Sequence, residues 1–345
     1  MDTETVQENE IQVTDIRAAR NVFSKVGFAF FMLAAISMVI QLAVIYVLNR
    51  AFPEGLQSSL QIYAAMLLPV YLIATPVCIY LLRRIEPRTL EQKSISFGSL
   101  LIFLLMCLPI MYGGNFLGST ITEKIAEYTG TSSSESLTSL IMGSDLLSNF
   151  IFVGLLAPII EEILFRKLLI DRIVVYGEGV AVVTSALMFG MFHGNFTQFF
   201  YAFGLGLMFA YVYCRTGKLR YSIALHMTIN TLGAVLAPFI VSKVDLGALQ
   251  RLGEMEADDP GFTDIMADSL PGLITLLIYG GVLLIMAIIG FVLLIIRRKR
   301  FVLEKPALII PEGKRFSTIW MNIGMFLFIA ACMVLFAYNI VGKTL

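Results

Sequence analysis

Residues 149–172 read NFIFVGLLAPIIEEILFRKLLIDR. The stretch is apolar enough to cross a bilayer, yet Glu161 and Glu162 stand near its middle and Arg166 follows one turn later. A charge at the centre of a span costs about 2.5–3.5 kcal/mol on insertion scales. Charged residues at that depth mark either a pairing or a site. Glu162 and Arg166 are spaced i, i+4, share a helix face and can pair. The plain expectation for such a pair is that it snorkels to the cytoplasmic interface. Glu161 points about 100° away from Glu162 and is left to face something else. Pro158, just upstream, removes a backbone hydrogen bond and predicts a kink toward an interior cavity.

The rest of the chain has the same character. Of its 345 residues, 58% are apolar and only 14% charged, where a soluble domain carries about 25% charged residues. Side chains that face lipid cannot be charged, which accounts for the deficit. Net charge is zero, so no basic surface argues for a nucleic acid partner. The partner expected from composition is the lipid bilayer. Cys78, Cys107, Cys214 and Cys332 lie far apart in apolar runs, which fits packing rather than a disulfide framework or zinc spacing. The acidic start MDTETVQENEIQ has no basic n-region, so no cleavable signal peptide is expected.

A spanning helix needs about 20 apolar residues. Nine stretches come close, at roughly 26–48, 60–82, 97–119, 146–168, 177–195, 196–214, 221–241, 270–296 and 319–341. The fifth and sixth are joined by a short turn at Gly194 and Asn195, which makes a tight helical hairpin. With the N-terminus in the cytoplasm, alternating spans leave 20 of the 25 basic residues inside and 5 outside. That bias is the positive-inside rule, and it supports both the orientation and the count; a multi-pass protein of the cell membrane is expected.

The expected fold is all-α, a polytopic membrane protein with about eight or nine transmembrane helices around a polar intramembrane cavity. Residues 1–25 form a cytoplasmic N-terminal segment, 26–145 the first helices and 146–241 a core. Residues 242–268 make an acidic outer loop and 269–345 the last helices. A second outer loop, Thr120–Asp145, is rich in Ser and Thr, with TSSSES at its centre. Solvated loops are the plain reading of both. No internal repeat is visible, which disfavours an inverted-repeat transporter.

The chain has two histidines, His193 in ALMFGMFHG and His226 in SIALHMTIN, and both fall in apolar spans. His226 and Asn230 share a helix face at i, i+4, as do Phe189 and His193. Gly190, Gly194, Gly204 and Gly206 would let these helices approach closely. The convergent set is one or two carboxylates, two imidazoles and a carboxamide. In one chemistry a carboxylate is the general base on water, helped by a histidine, while the other histidine and Asn230 donate to an oxyanion. In a second, a divalent metal such as zinc is held by Glu161, His193 and His226 and activates the water. In a third, the residues relay protons or cations in a transporter. No HExxH is present and asparagine is a poor zinc ligand, so the metal-free glutamate mechanism is preferred.

Glu161-Glu162-Ile163-Leu164-Phe165-Arg166 resembles the EExxxR motif of the CAAX-protease and bacteriocin-processing intramembrane peptidases, the Abi or type II CAAX prenyl endopeptidase family. Phe189-Gly190-Met191-Phe192-His193 is similar to that family's FxxxH, and His226-Met227-Thr228-Ile229-Asn230 to its HxxxN. The three occur in the family's order over residues 146–241. The resemblance implies a helical bundle with a water-filled cavity opening toward the cytoplasm. It implies hydrolysis of peptide bonds near the membrane surface. Glu161 would activate water with His193, His226 and Asn230 would stabilise the oxyanion, and Glu162 and Arg166 would support them. The family has been described both as metallo- and as glutamate-dependent peptidases.

One tension follows from these boundaries. They put Glu161 and His226 in the cytoplasmic half but His193 at the outer end of the fifth span, so a common site requires that helix to start deeper, tilt or break. The alternative function is a non-catalytic relative acting as a membrane scaffold, immunity or regulatory factor.

Overall fold

The computed structural model describes residues 12–56, 58–130, 136–256 and 259–341. Most of TSSSES, and Asp258 of the acidic loop, lie outside the described residues, as does Lys343. Nine long helices carry the architecture: α1 Ile16–Ala51, α2 Ser59–Arg83, α3 Phe97–Thr129, α4 Leu146–Tyr176, α5 Glu178–Phe192, α6 Phe196–Thr216, α7 Leu219–Val241, α8 Phe262–Arg297 and α9 Ile323–Val341. Among the described residues, eight of them are long and apolar enough to cross a membrane, and the exception is α5 with 15 residues. The protein is an integral, multi-pass, all-α membrane protein. One two-residue parallel pairing, Gln12–Val13 with Leu308–Ile309, ties the first segment to the connection after α8.

Several boundaries differ from the sequence expectation, and for one reason: helices continue past the apolar run. A chain leaving the hydrocarbon can keep its backbone hydrogen bonds by staying helical into the headgroup region. Thus α1 begins ten residues before position 26, and α3 runs to Thr129 through much of the expected Ser/Thr-rich loop. The acidic segment contains the helix Leu246–Glu254, capped by Asp245. The most consequential extension is α4, which continues to Tyr176 rather than stopping near 168.

Three helices change register before a proline. The π-helical segments Val70–Ala74, Phe150–Leu156 and Thr231–Leu236 are followed by Thr75-Pro76, Ala157-Pro158 and Ala237-Pro238. A proline has no N–H and its ring displaces the carbonyl one turn back, so a wider turn relieves the clash. At Pro158 the missing backbone hydrogen bond coincides with a π segment. The packing is otherwise that of membrane helices, with small residues at the crossings. Gly290 of α8 lies on the Leu105 carbonyl of α3, and Gly324 of α9 lies on the Ser24 carbonyl of α1, each without room for a Cβ. Alpha-helix α8 faces outward, with Leu277, Ile278 and Ile296 mostly exposed, as lipid contact requires.

The connections rich in Arg and Lys gather at one end of the bundle. Arg172 Nε donates to the Leu82 carbonyl at 2.5 Å, the Arg88 amide to the Asp171 carbonyl at 2.6 Å, and the Tyr213 hydroxyl to Asp171 Oδ1 at 2.7 Å. These bonds lock the ends of α2, α4 and α6 together at this basic end. At the opposite end the Tyr63 hydroxyl donates to Asn149 at 2.7 Å, and Asn339 donates to the Gly194 carbonyl at 3.1 Å.

Candidate active site

Helix α4 presents its two glutamates to different surroundings. Glu162 points into the core and is fully buried, as is Arg166 one turn on. The pair does not snorkel, contrary to the expectation for it. Instead Arg166 Nε stands 3.2 Å from Glu162 Oε2, an ionic contact without good hydrogen-bond alignment. Taking two charges out of water is costly, so their surroundings have to hold them. Arg166 Nη1 donates to Ser185 Oγ at 3.3 Å, and Ser185 donates on to the Phe165 carbonyl at 2.7 Å. The guanidinium also lies over the Phe189 ring at 4.7 Å and nearer its edge of reach over Phe209 at 5.7 Å. Glu161 keeps a quarter of its side chain exposed.

His226 joins the two glutamates. Its Nδ1 is 3.0 Å from Glu162 Oε1 and its Nε2 is 3.5 Å from Glu161 Oε2. A buried carboxylate tied to a guanidinium is an acceptor, so Nδ1 carries the hydrogen and donates. That bond fixes the tautomer and turns Nε2 toward Glu161. The imidazole also stacks on Phe209 of α6, with ring centroids 5.0 Å apart. His226 stands seven residues into α7 and Phe209 seven residues before the end of α6, so the short turn between them sets the stack level.

The depth of His193 is likewise set by its distance from a turn. Gly177, at φ 110°, is the turn between α4 and α5. Glu161 lies sixteen residues before it and His193 sixteen residues after it. Two antiparallel helices bring positions equally far from their turn to a similar depth, here with the π turns of Ile163–Ile170 on the α4 side. Contacts along the hairpin keep that register: Ser185 meets the Phe165 carbonyl, and Phe165 meets Phe189 with ring centroids 5.2 Å apart. The mismatch expected from the sequence came from ending α4 eight residues early. The phenyl ring of Phe189 then has an imidazole on either side, His193 at 4.8 Å and His226 at 5.7 Å, both edge-on. His193 Nδ1 is 2.8 Å from the Phe189 carbonyl. A carbonyl only accepts, so here too Nδ1 holds the hydrogen and Nε2 is left with a lone pair. No hydrogen bond joins His193 to Glu161 in this arrangement.

Asn230 sits one turn beyond His226 on α7, and its Nδ2 donates to the Val153 carbonyl of α4 at 3.0 Å. The π register explains why that carbonyl is available. Ala157 donates to Phe152, five residues back, so Pro158 would be the donor to Val153 and has no N–H. The asparagine replaces the missing bond and ties α7 to α4.

Residues 143–232 match the family model described as Type II CAAX prenyl endopeptidase Rce1-like. This segment is similar to that family. Glu161, Glu162, Arg166, His193, His226 and Asn230 all fall inside the matched segment. The chain is also similar to the membrane-embedded CAAX protease MroQ of Staphylococcus aureus (strain USA300), being 26% identical over 215 residues, which covers 54% of this chain and 83% of that protein. No solved structure matches the chain.

The donors of this core do not converge on a point that could hold a metal. Among the described residues no three His, Cys, Asp or Glu side chains are arranged to hold an ion. Both His226 nitrogens are turned to the glutamates, and His193 Nδ1 is committed to a backbone carbonyl. Glu161, His193 and His226 as placed do not fit a zinc ion, which needs three converging donors. The polar set fits acid–base work on a water instead. Two of its contributors gave no signal in the sequence. Ser185 is a lone serine in an apolar helix, and Phe209 is one phenylalanine among 26.

A cavity of about 300 Å³ adjoins this core. Asn230 is in its wall, together with Gln198 and Tyr201 at the start of α6. It lies on the side of Asn230 away from the basic end, so it does not correspond to the cytoplasm-facing cavity implied by the family resemblance.

Proposed function

We propose that the chain is an intramembrane endopeptidase that hydrolyses peptide bonds of membrane-associated or hydrophobic peptides with a Glu161-activated water. The observation that carries this is the clamp on His226, held between the buried Glu162–Arg166 pair and the partly exposed Glu161. Of the two glutamates only Glu161 reaches solvent, so it is the general base. It takes a proton from water as the water oxygen bonds to the scissile carbonyl carbon. His193 Nε2, held by the bond from its Nδ1, helps orient that water. The second N–H of Asn230 donates to the developing oxyanion, while His226, its Nδ1 hydrogen given to Glu162, stands fixed beside Glu161. When the C–N bond breaks, the proton taken by Glu161 passes to the leaving amine.

Glu162 and Arg166 act through His226 and are positioning residues. The positive-inside bias supports a cytoplasmic N-terminus and basic end, and the membrane proposed is the cell membrane. Substrates are membrane-tethered peptides or proteins, in keeping with the family to which the segment is similar. The test is cleavage of a lipid-tethered reporter peptide by purified Glu161→Ala and His193→Ala protein whose helical circular dichroism matches wild type. Both are expected to be inactive. Full activity in both would leave the motif residues with a structural role only, as a scaffold member of the family would have them.

A further inference from the structure

A second concave feature lies at the basic end of the bundle, on helices that supply nothing to the site above. Lys25 of α1, Arg84 just past the end of α2 and Ile323 at the start of α9 border a groove of about 450 Å³, within the range of ligand pockets. Its floor is fixed. Gly324 meets the Ser24 carbonyl without room for a Cβ, so α1 and α9 touch backbone to backbone there. The Ser24 hydroxyl accepts from the Gly324 amide at 3.1 Å, which leaves its own hydrogen to donate.

The rim of the groove is cationic. Among the described residues neither Lys25 nor Arg84 forms an ion pair. The Arg84 guanidinium lies over the Tyr80 ring at 4.4 Å and donates to the Tyr80 hydroxyl. That holds it in place with other N–H groups to spare. Arg20 is tied to the same edge by a bond to the Met321 carbonyl, two residues before α9. The nearest acidic residues along these stretches, Asp15 and Glu86, line none of the groove, and Asp15 is occupied as the cap of α1, accepting from the Arg17 amide at 2.8 Å.

One turn deeper the same walls are apolar. Phe28 follows Lys25 on α1, and Leu81 precedes Arg84 on α2. Phe28 is 41% exposed and Ile323 76%, on a surface that faces lipid. An occupant that satisfies both levels carries a negative head and an apolar tail. A free anion would leave the apolar level uncovered, and a neutral apolar molecule would leave two cations unpaired. Basic pockets between helices at the cytoplasmic side suit anionic lipid head groups.

We infer that this groove is a binding site for an anionic glycerophospholipid, with its phosphate between Lys25 and Arg84 and an acyl chain along Phe28 and Ile323. The site stands apart from the peptidase reading, since it shares no residue with Glu161, His193, His226 or Asn230.

The experiment takes the full chain from vesicles of equal parts dioleoyl phosphatidylglycerol and dioleoyl phosphatidylcholine into mild detergent and reads the retained lipid by native mass spectrometry. Wild type is expected to retain phosphatidylglycerol over phosphatidylcholine by more than about tenfold. Lys25→Gln and Arg84→Gln are each expected to lower that ratio about fivefold, the share of one basic side chain near an anionic surface. Lys25→Gln carries the test if Arg84→Gln, which also loses the Tyr80 contact, does not fold. Phe28→Ala is expected to reduce the amount retained while keeping the ratio, and millimolar inorganic phosphate is expected to displace nothing. The control Arg298→Gln/Lys299→Gln removes two charges from the same end but outside the groove, and is expected to leave the ratio unchanged. A wild-type ratio near one would overturn the site. So would a control that lowers the ratio as much as Lys25→Gln, which would reveal a diffuse positive surface. Release of the lipid by inorganic phosphate would also overturn it, in favour of a free-anion site.

Discussion

The site has one closed side and one open side. On the closed side Glu162, Arg166 and Ser185 have no solvent exposure, and each is held by a neighbour from another turn or helix. On the open side Glu161 keeps part of its side chain exposed, and Asn230 lines a cavity. His226 stands between them with one nitrogen turned each way. The difference separates two tasks that adjacent glutamates can divide. A carboxylate that must take a proton from water needs access to it. A carboxylate that must hold an imidazole in one tautomer needs to be fixed and kept charged, which a buried guanidinium accomplishes. The helix makes the division simple, since neighbouring residues point about 100° apart.

The sharpest way to break this comparison is to make the same small change on each side. Glu161→Gln is expected to lower kcat by about 10²–10⁴-fold, the range for loss of a general base, with thermal stability in detergent unchanged. Glu162→Gln is expected to lower both activity and stability, because it leaves Arg166 as a buried cation without its anion. Equal effects of the two substitutions on stability would mean that the sides are not distinct. Arg166→Met probes the closed side from its other end. Breaking a buried pair by removing one partner costs about 3–5 kcal/mol, read as a shift in denaturant midpoint. The double variant Glu162→Gln/Arg166→Met is expected to recover part of that loss, since two neutral groups leave no charge behind.

Much of the open side was legible in the sequence, because its signals are rare residues in the wrong solvent. Two histidines and a Glu-Glu pair in apolar spans are conspicuous, and i, i+4 spacing places Asn230 with His226 and Arg166 with Glu162. The helical bundle itself was legible for the same reason, since lipid imposes length and composition. The closed side was less so. Burial of Arg166 depends on the Phe189 and Phe209 rings and on Ser185, and nothing in the local sequence distinguishes these from ordinary helix-packing residues. The depth of His193 was misread because the apolar run of α4 ends before the helix does. The turn that sets the depth was present all along in Tyr176-Gly177-Glu178, where only glycine adopts the φ of 110° without strain.

A smaller effect tests how the closed side is built. Ser185 accepts from Arg166 and donates to the Phe165 carbonyl. Ser185→Ala leaves both without that partner, and a buried unsatisfied group costs about 1–3 kcal/mol. The expected result is a lower melting temperature with a weaker effect on activity than Arg166→Met. A loss of activity as large as that of Glu161→Gln, at unchanged melting temperature, would place Ser185 among the reacting groups and remove it from the support.

The smallest expected effect is none, and it bears on both sides at once. If the water is activated by Glu161 alone, then prolonged dialysis against a strong chelator is expected to leave kcat/KM unchanged. Added zinc is expected to inhibit rather than activate, because an ion bridging Glu161 and His226 would take up the base. His226 Nδ1 and His193 Nδ1 each give their hydrogen to a protein acceptor, leaving one lone pair per ring, and only the His226 lone pair faces Glu161. A resident metal would require His193 Nε2 to converge on the same point. Loss of activity on chelation, restored by zinc, would show that the rings converge in the working enzyme. The closed side would then serve to hold a metal ligand, with Glu162 and Arg166 fixing the basicity of a coordinating His226.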